Sequence, residues 1–231
     1  ADEAVTAGAR SVGFDLGRAV AVTYASAYAR APLGVHPCGY SFAAQNPDFS
    51  AREATAAERA TWFSDGSGIP PGAGVGIVDA LLAPPDYTLP GLQCLRNLLT
   101  QRGDSDFRQG LANTEASLPR KGLPVVVIHG LDDGLVPATF TSAPYVAAAQ
   151  AAGRDVSYWQ VKHAQHFDGF LALPAYGARY VPMLPYVYAA LDQVSAKLDG
   201  KGKLPDDAVI EPVLRGAGAV ELQQLAIPGG R

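Results

Sequence analysis

Hydrophobic and polar positions follow two different rules in the two halves of the chain. From residue 123 the pattern is regular. Leu-Pro-Val-Val-Val-Ile at 123–128 is a continuous β-branched run opened by proline, which predicts a strand buried on both faces of a parallel sheet. Residues 141–152 predict a helix, with Thr139 or Thr141 as N-cap and Gly153 as its stop. Residues 156–161 predict a second strand, and 180–199 a long helix ending at Gly200. Strand, loop, helix, strand, loop, helix is the rhythm of a parallel α/β sheet.

Upstream the pattern loosens. Val12, Leu16, Ala19, Val20 and Tyr24 recur at helical spacing over 11–30, and Pro32 ends the run. From 33 to 101 the chain is punctuated by Pro37, Gly39, Pro47, Gly66, Gly68, Pro70, Pro71, Gly72, Gly74, Pro84, Pro85 and Pro90, with helical patterns only at 51–63 and 91–100. A further helix is expected at 104–117. This texture is that of an insertion or lid carrying short helices. The tail, 201–231, contains Pro205, Pro212 and Pro228 and shows no period. The expected division is therefore a helix entering the core (1–32), a Pro/Gly-rich helical lid (33–118), an α/β core (119–200) and a tail (201–231).

Composition narrows the classes. A chain of 231 residues, 48% hydrophobic and 17% charged, can bury a sizeable core. The net charge of -4 and the lack of any basic stretch argue against a nucleic-acid partner. No apolar run reaches the roughly 18 residues of a spanning helix; the best candidate, 181–198, is broken by Pro185, Asp192 and Lys197. Cys38 and Cys94 fit either one bridge or two buried thiols, and the sequence leaves both open. Scarce lysine together with abundant Ala, Gly and Pro suits a secreted or periplasmic protein, with the cytoplasm as the second choice. Ala1-Asp2-Glu3 shows neither an initiator Met nor a signal-peptide pattern, and a processed precursor or a fragment is expected.

The chemistry concentrates behind the two strands. The first runs into His129-Gly130-Leu131-Asp132-Asp133-Gly134-Leu135-Val136-Pro137. An acid just past the C-terminal end of a parallel strand lies where such sheets build their sites, and Gly130 and Gly134 suit a tight turn there. The spacing H-G-x-x-D-x-x-V-P is that of the acid loop of α/β-hydrolases and selects Asp133 over Asp132. The second strand runs into Lys162-His163-Ala164-Gln165-His166-Phe167-Asp168. A histidine here completes the order acid then His. His166 is preferred, with Phe167 as a wall of the site; His163 is expected to face solvent at the strand end. Metal binding by His163, His166 and Asp168 is disfavoured, because Ala164 stands where a zincin motif has Glu. No metal or cofactor is expected. The plainer reading of these loops is turn-capping aspartates and bystander histidines.

The nucleophile is missing. No G-x-S-x-G string occurs; Gly39-Tyr40-Ser41 and Gly66-Ser67-Gly68 come nearest, and neither follows a buried strand. In the order Ser, Asp, His the serine belongs before the lid. It is therefore expected upstream of Ala1, on a second chain or segment packed against the two loops. The expected fold is the C-terminal part of an α/β-hydrolase parallel sheet with a lid insertion.

Several strings resemble one family, the D-(-)-3-hydroxybutyrate oligomer hydrolases. They are Ala21-Val22-Thr23-Tyr24-Ala25-Ser26-Ala27-Tyr28, Cys38-Gly39-Tyr40-Ser41-Phe42-Ala43, Ser67-Gly68-Ile69-Pro70-Pro71, Val127-Ile128-His129-Gly130 through Pro137, Thr141-Ser142-Ala143-Pro144-Tyr145, Ala164-Gln165-His166-Phe167-Asp168, Leu204-Pro205 and Arg215-Gly216. The resemblance implies a serine-type ester hydrolase of which this is the C-terminal portion, its serine upstream, acting on short linear 3-hydroxybutyrate esters. Leu131-Asp132 and Ala143 depart from the family's pattern, so the resemblance does not carry fine substrate preference. Tyr40, Phe42, Trp62, Phe63 and Ile69 are candidate apolar walls for the oligoester, against the reading that they form the lid's own core. Two other functions compete: a non-catalytic binding or assembly module with a hydrolase fold, and a feruloyl-esterase- or tannase-like esterase.

Overall fold

The computed structural model describes residues 2–32, 34–64, 75–100, 105–214, 216 and 218–229, with the backbone alone at Ser11, Phe14 and Ser105. The chain divides into two compact units, one of Ala1–Arg10 with Ser117–Arg231, the other Ser11–Ala116.

The first unit holds helix α1 (Asp2–Ser11), which ends at the unit boundary. The second opens with α2 (Leu16–Tyr28) and builds a small antiparallel sheet from β1 (Tyr40–Gln45), β2 (Ala51–Arg52) and, after α3 (Ala56–Trp62), β3 (Gly76–Asp79), in the order β2-β1-β3. Helices α4 (Leu89–Thr100) and α5 (Ser105–Thr114) complete it. Helices were expected at 51–63 and 91–100, but 51–52 pairs with β1 instead. The later start of α3 follows from a capping box: Thr55 accepts the Glu58 N–H while the Glu58 carboxylate accepts the Thr55 N–H. Val22, Ala25, Tyr40, Ile77, Leu95 and Phe107 form the core of this unit. Cys38 and Cys94 are joined, tying the start of β1 to α4 with Cα atoms 6.0 Å apart.

The first unit contains the parallel sheet. Strands β4 (Val125–Gly130), β5 (Val156–Val161) and β6 (Ala208–Ile210) lie in that order, all parallel. β4 begins two residues later than the apolar run because Pro124 has no N–H; the first ladder bond is Val125 N–H to the Asp155 carbonyl. α6 (Ser142–Ala151) lies between β4 and β5 in sequence, and α7 (Pro174–Gly177) and α8 (Leu184–Leu198) follow β5. β5 is buried on both faces, which explains its aromatic and β-branched content, and the one hydroxyl it buries, Ser157, donates to the Pro205 carbonyl. Trp159 and Val161 pack with Val181, Tyr186, Ala190, Ile210 and Leu225, while Val156 and Tyr158 pack with Val146 and Ala149 of α6. The aperiodic tail supplies β6. Its register is set by Asp207, whose carboxylate accepts the Tyr158 N–H at 2.8 Å and the Gln150 amide at 2.9 Å. The protein is thus a mixed α/β chain with a parallel sheet.

Candidate active site

Both candidate loops leave the same end of the parallel sheet. β4 and β5 pair in register, Gly130 opposite Val161, so the segments that follow them start side by side. Two glycines bring the backbones together. A Cβ on Gly130 would lie 2.5 Å from the Ala164 carbonyl, and one on Gly134 would lie 2.3 Å from the Gly8 N of α1. Neither glycine has a positive φ. They serve close approach, whereas the sequence reading assigned them to a tight turn.

Asp133 is held from both sides. Its Oδ1 accepts the Leu135 and Val136 N–H groups at 2.9 and 2.8 Å. Its Oδ2 lies 2.8 Å from His166 Nδ1, which donates to it. The side chains are 8% and 36% exposed respectively, so the acid is buried and the imidazole stays open to a further group. With Nδ1–H committed to the carboxylate, a neutral His166 carries its lone pair on Nε2. Burial by itself would raise the Asp133 carboxyl, but the His166 bond and the two backbone donors outweigh it and hold its pKa below the ordinary value. The same bond raises His166, against the opposing effect of burial.

Three further residues fix this geometry, none of them assigned such a role from sequence. His129 Nε2–H donates to the Val136 carbonyl at 2.9 Å and lies 3.8 Å from Asp133 Oδ2, pinning the acid loop to the end of β4. The Gln165 side chain accepts the Phe167 N–H at 3.0 Å and donates to the Phe167 carbonyl. The Asp168 carboxylate accepts the Met183 and Leu184 N–H groups at 2.8 and 3.0 Å, capping the start of α8. His166 therefore sits between two anchored neighbours. The signal for Asp168 was a carboxylate ahead of a helix opened by Pro185, but the cap spans 15 residues of sequence and no local rule joins them.

Asp132 and His163 form a neighbouring contact. His163 is half-buried, with φ of 54°, rather than simply facing solvent as expected, and its carbonyl accepts the Val181 N–H at 2.7 Å. Burial raises the Asp132 carboxyl, opposed by His163 and its backbone N–H. A cavity of about 640 Å³ beside the acid loop is lined by Ala4, Val5, Leu131, Asp132, Phe140 and His163, among others; neither Asp133 nor His166 lines it.

Of the candidate wall residues, Phe167 stands edge-on to the His166 ring with centroids 4.5 Å apart. Tyr40, Phe42, Trp62 and Phe63 belong to the other unit. Tyr40 is 2% exposed and part of that unit's core, so its ring lines no open surface. Burial, followed by the neighbouring Asp79 carboxylate, pushes its hydroxyl up to about 12. Phe42 is exposed and stacks edge-on against His36, Trp62 is half-buried and Phe63 is 90% exposed. Ile69, and Ser67 of the Gly66-Ser67-Gly68 string, lie outside the described residues. Among the described residues there is no cluster of three metal-ligating side chains, and no helix is long and apolar enough to cross a membrane.

The structure thus bonds a buried carboxylate to an open imidazole at the C-terminal ends of adjacent parallel strands, on a mixed α/β framework. The chain belongs to the 3HB-oligomer hydrolase family, whose model matches residues 3–229. It is 36% identical to the D-(-)-3-hydroxybutyrate oligomer hydrolase of Paracidovorax citrulli over 88% of this chain and 32% of that protein. Proteins of the same name from a Polaromonas species and from Cupriavidus necator are 37% and 34% identical, over 87% and 88% of the chain and 32% and 31% of theirs. The chain thus spans about a third of the length of the curated relatives it matches. No solved structure matches it.

Proposed function

We propose that this chain supplies the acid and the base of a serine-type carboxylic ester hydrolase that cleaves 3-hydroxybutyrate oligomers. The fold would be the C-terminal part of an α/β-hydrolase, and the serine would come from a segment or second chain outside these residues. The observation that carries the reading is the Asp133–His166 bond, 2.8 Å long, between loops that leave adjacent parallel strands. The substrate class rests on the names of the relatives.

The chemistry follows from the tautomer. His166 Nε2 takes the proton of the serine hydroxyl as its oxygen bonds the ester carbonyl carbon. Collapse of the tetrahedral intermediate breaks the ester C–O bond, and His166 returns the proton to the departing hydroxyl of the next unit. A water then gives its proton to His166 while its oxygen attacks the acyl-serine, and the carboxylic acid leaves as the serine oxygen is reprotonated. Asp133 stays ionised throughout, holding the ring and stabilising the imidazolium. Phe167 walls the His166 side of the substrate site. The Cys38–Cys94 bridge favours an oxidising compartment, secreted or periplasmic.

The test is turnover of a hydroxybutyrate trimer by the chain assembled with the upstream segment. His166→Ala should lower kcat by about 10⁴ or more, with a serine-directed fluorophosphonate labelling the upstream segment and never this chain. Near-wild-type turnover of that variant, or labelling within residues 1–231, would overturn the assignment.

A further inference from the structure

The two edges of the parallel sheet are built differently. β6 is three residues long, is preceded by Pro205 and followed by Pro212, and so offers a partner little to pair with. β4 is six residues long, carries Val-Val-Val-Ile and holds no proline, lysine or carboxylate. An outer edge of that composition lacks the prolines and charged side chains with which proteins protect an exposed strand. In the sheet order β4-β5-β6 that edge has no neighbouring strand among the described residues.

The hydrogen bonds identify which groups it presents. Val125 N–H donates to the Asp155 carbonyl and, at the other end, Leu131 N–H to the Val161 carbonyl. Along a parallel strand the N–H and C=O of one residue point to one side and those of the next to the other. The odd-numbered residues of β4 therefore face β5, while Val126, Ile128 and Gly130 face outward. The Gly130 carbonyl closes the acid loop by accepting the Asp133 N–H. The Val126 and Ile128 N–H and C=O groups have no hydrogen-bond partner among the described residues, although both side chains pack on the core around Trp159. The sequence of β4 is that of an interior strand, and its backbone is that of an edge.

We infer that the outer edge of β4 is the pairing site for a parallel strand contributed by the remainder of a longer polypeptide of this family. Two observations choose that occupant over a second copy of this chain. About two thirds of each relative's length lies outside the match, which is ample to supply the strand. Every pairing in this sheet is already parallel, whereas two β4 edges related by a two-fold axis would meet antiparallel. The orientation also rests on the proposed function: a parallel strand ends at the same end of the sheet as the Asp133 and His166 loops, where the serine is needed.

Amide hydrogen exchange resolved to single residues tests the inference in two proteins. In this chain alone, Val126 and Ile128 should exchange about 100-fold or more faster than Val127 and His129, whose N–H groups face β5. In the intact Paracidovorax citrulli relative, all amides of the strand aligned with Val125–Gly130 should be protected alike, and cross-linking should place an upstream strand beside it. Open outer amides in an intact relative that turns over hydroxybutyrate trimer would overturn the docking site while leaving the proposed function standing. Protection with an upstream strand alongside, in a relative that does not hydrolyse the trimer, would uphold the site and remove the function. Protection in this chain alone that grows with concentration, with a dimer in sedimentation, would assign the edge to a second copy and overturn the inference. Should every amide of the chain alone exchange equally fast, the intact relative decides between these outcomes.

Discussion

Replacing Asp133 by Asn changes no volume and removes one charge, which isolates what the carboxylate does. The Asn carbonyl can still accept the Leu135 and Val136 N–H groups that now bond Oδ1 at 2.9 and 2.8 Å. Its NH₂ then faces His166 Nδ1, where a proton already sits. Two donors cannot share that gap, so the imidazole moves its proton to Nε2 or turns away. Either way Nε2 no longer presents a lone pair where it would accept a serine proton. A tautomer error of this kind costs about 10⁴ in kcat in the serine-protease example of a triad, and a loss of that order is expected here in the assembled enzyme. Exchanging a charge-assisted bond for a neutral one should cost about 1–2 kcal/mol of stability. Asp133→Ala should cost more, about 2–6 kcal/mol, because two backbone donors lose their acceptor at about 1–3 kcal/mol each. These effects can be read on this chain without any activity. Denaturant melts rank the variants, and ¹H–¹⁵N NMR of the imidazole reports tautomer and pKa. In the parent, His166 should be protonated at Nδ1 when neutral and titrate above the ordinary histidine value; in Asp133→Asn both features should vanish. If Asp133→Asn retains the Nδ1–H tautomer and the raised pKa, the carboxylate does not orient the ring and the acid–base reading fails.

Two further outcomes follow from the pair and from the bridge. Turnover needs a neutral imidazole, so kcat/KM should rise with pH through the raised His166 pKa, with its midpoint above that of an ordinary histidine; a midpoint at or below the ordinary value would contradict the bond. For folding stability the signs run opposite for the two partners. The contribution of His166 is complete below its unfolded pKa and is lost as pH rises through the raised folded one, while that of Asp133 is complete above its unfolded pKa and is lost as pH falls through the depressed folded one, so urea melts across both windows should show stability falling outward. Reduction of Cys38–Cys94, which are 56 residues apart, should destabilise the Ser11–Ala116 unit by about 2–4 kcal/mol. Calorimetry with and without dithiothreitol, with Cys38→Ser/Cys94→Ser as the control, reads this directly, and unchanged melting would mean that the bridge constrains nothing.

How much of this was legible in the sequence depends on the range of the interaction. β5 falls on the residues expected for it, because Val156, Tyr158, Trp159 and Val161 concentrate β-branched and aromatic side chains in one short run, and that signal is written locally. The two chemical loops were legible for the same reason: a short spacing after each strand singles out Asp133 and His166, and the structure bonds that pair and sets Asp132 against His163. Signals at 55–58 were equally local and were overlooked, since Thr-Ala-Ala-Glu is a capping box. The aperiodic tail could not be read as a strand, because β6 exists only through its partner β5 and the Asp207 carboxylate that fixes their register. The antiparallel sheet at 40–79 was obscured in the same way: β1 and β3 are short, separated by many residues, and paired by bonds that no period records. Tyr40 reads as a possible wall in a Pro/Gly-rich segment, yet the pairing of β1 with β3 turns it into the core. The sequence by itself therefore determined the strands β4 and β5 and the two loops that hold Asp133 and His166. Only the tertiary structure decided how closely His166 meets the acid, which glycines permit close approach, and which strand is left at the edge, because each depends on atoms brought together from distant parts of the chain.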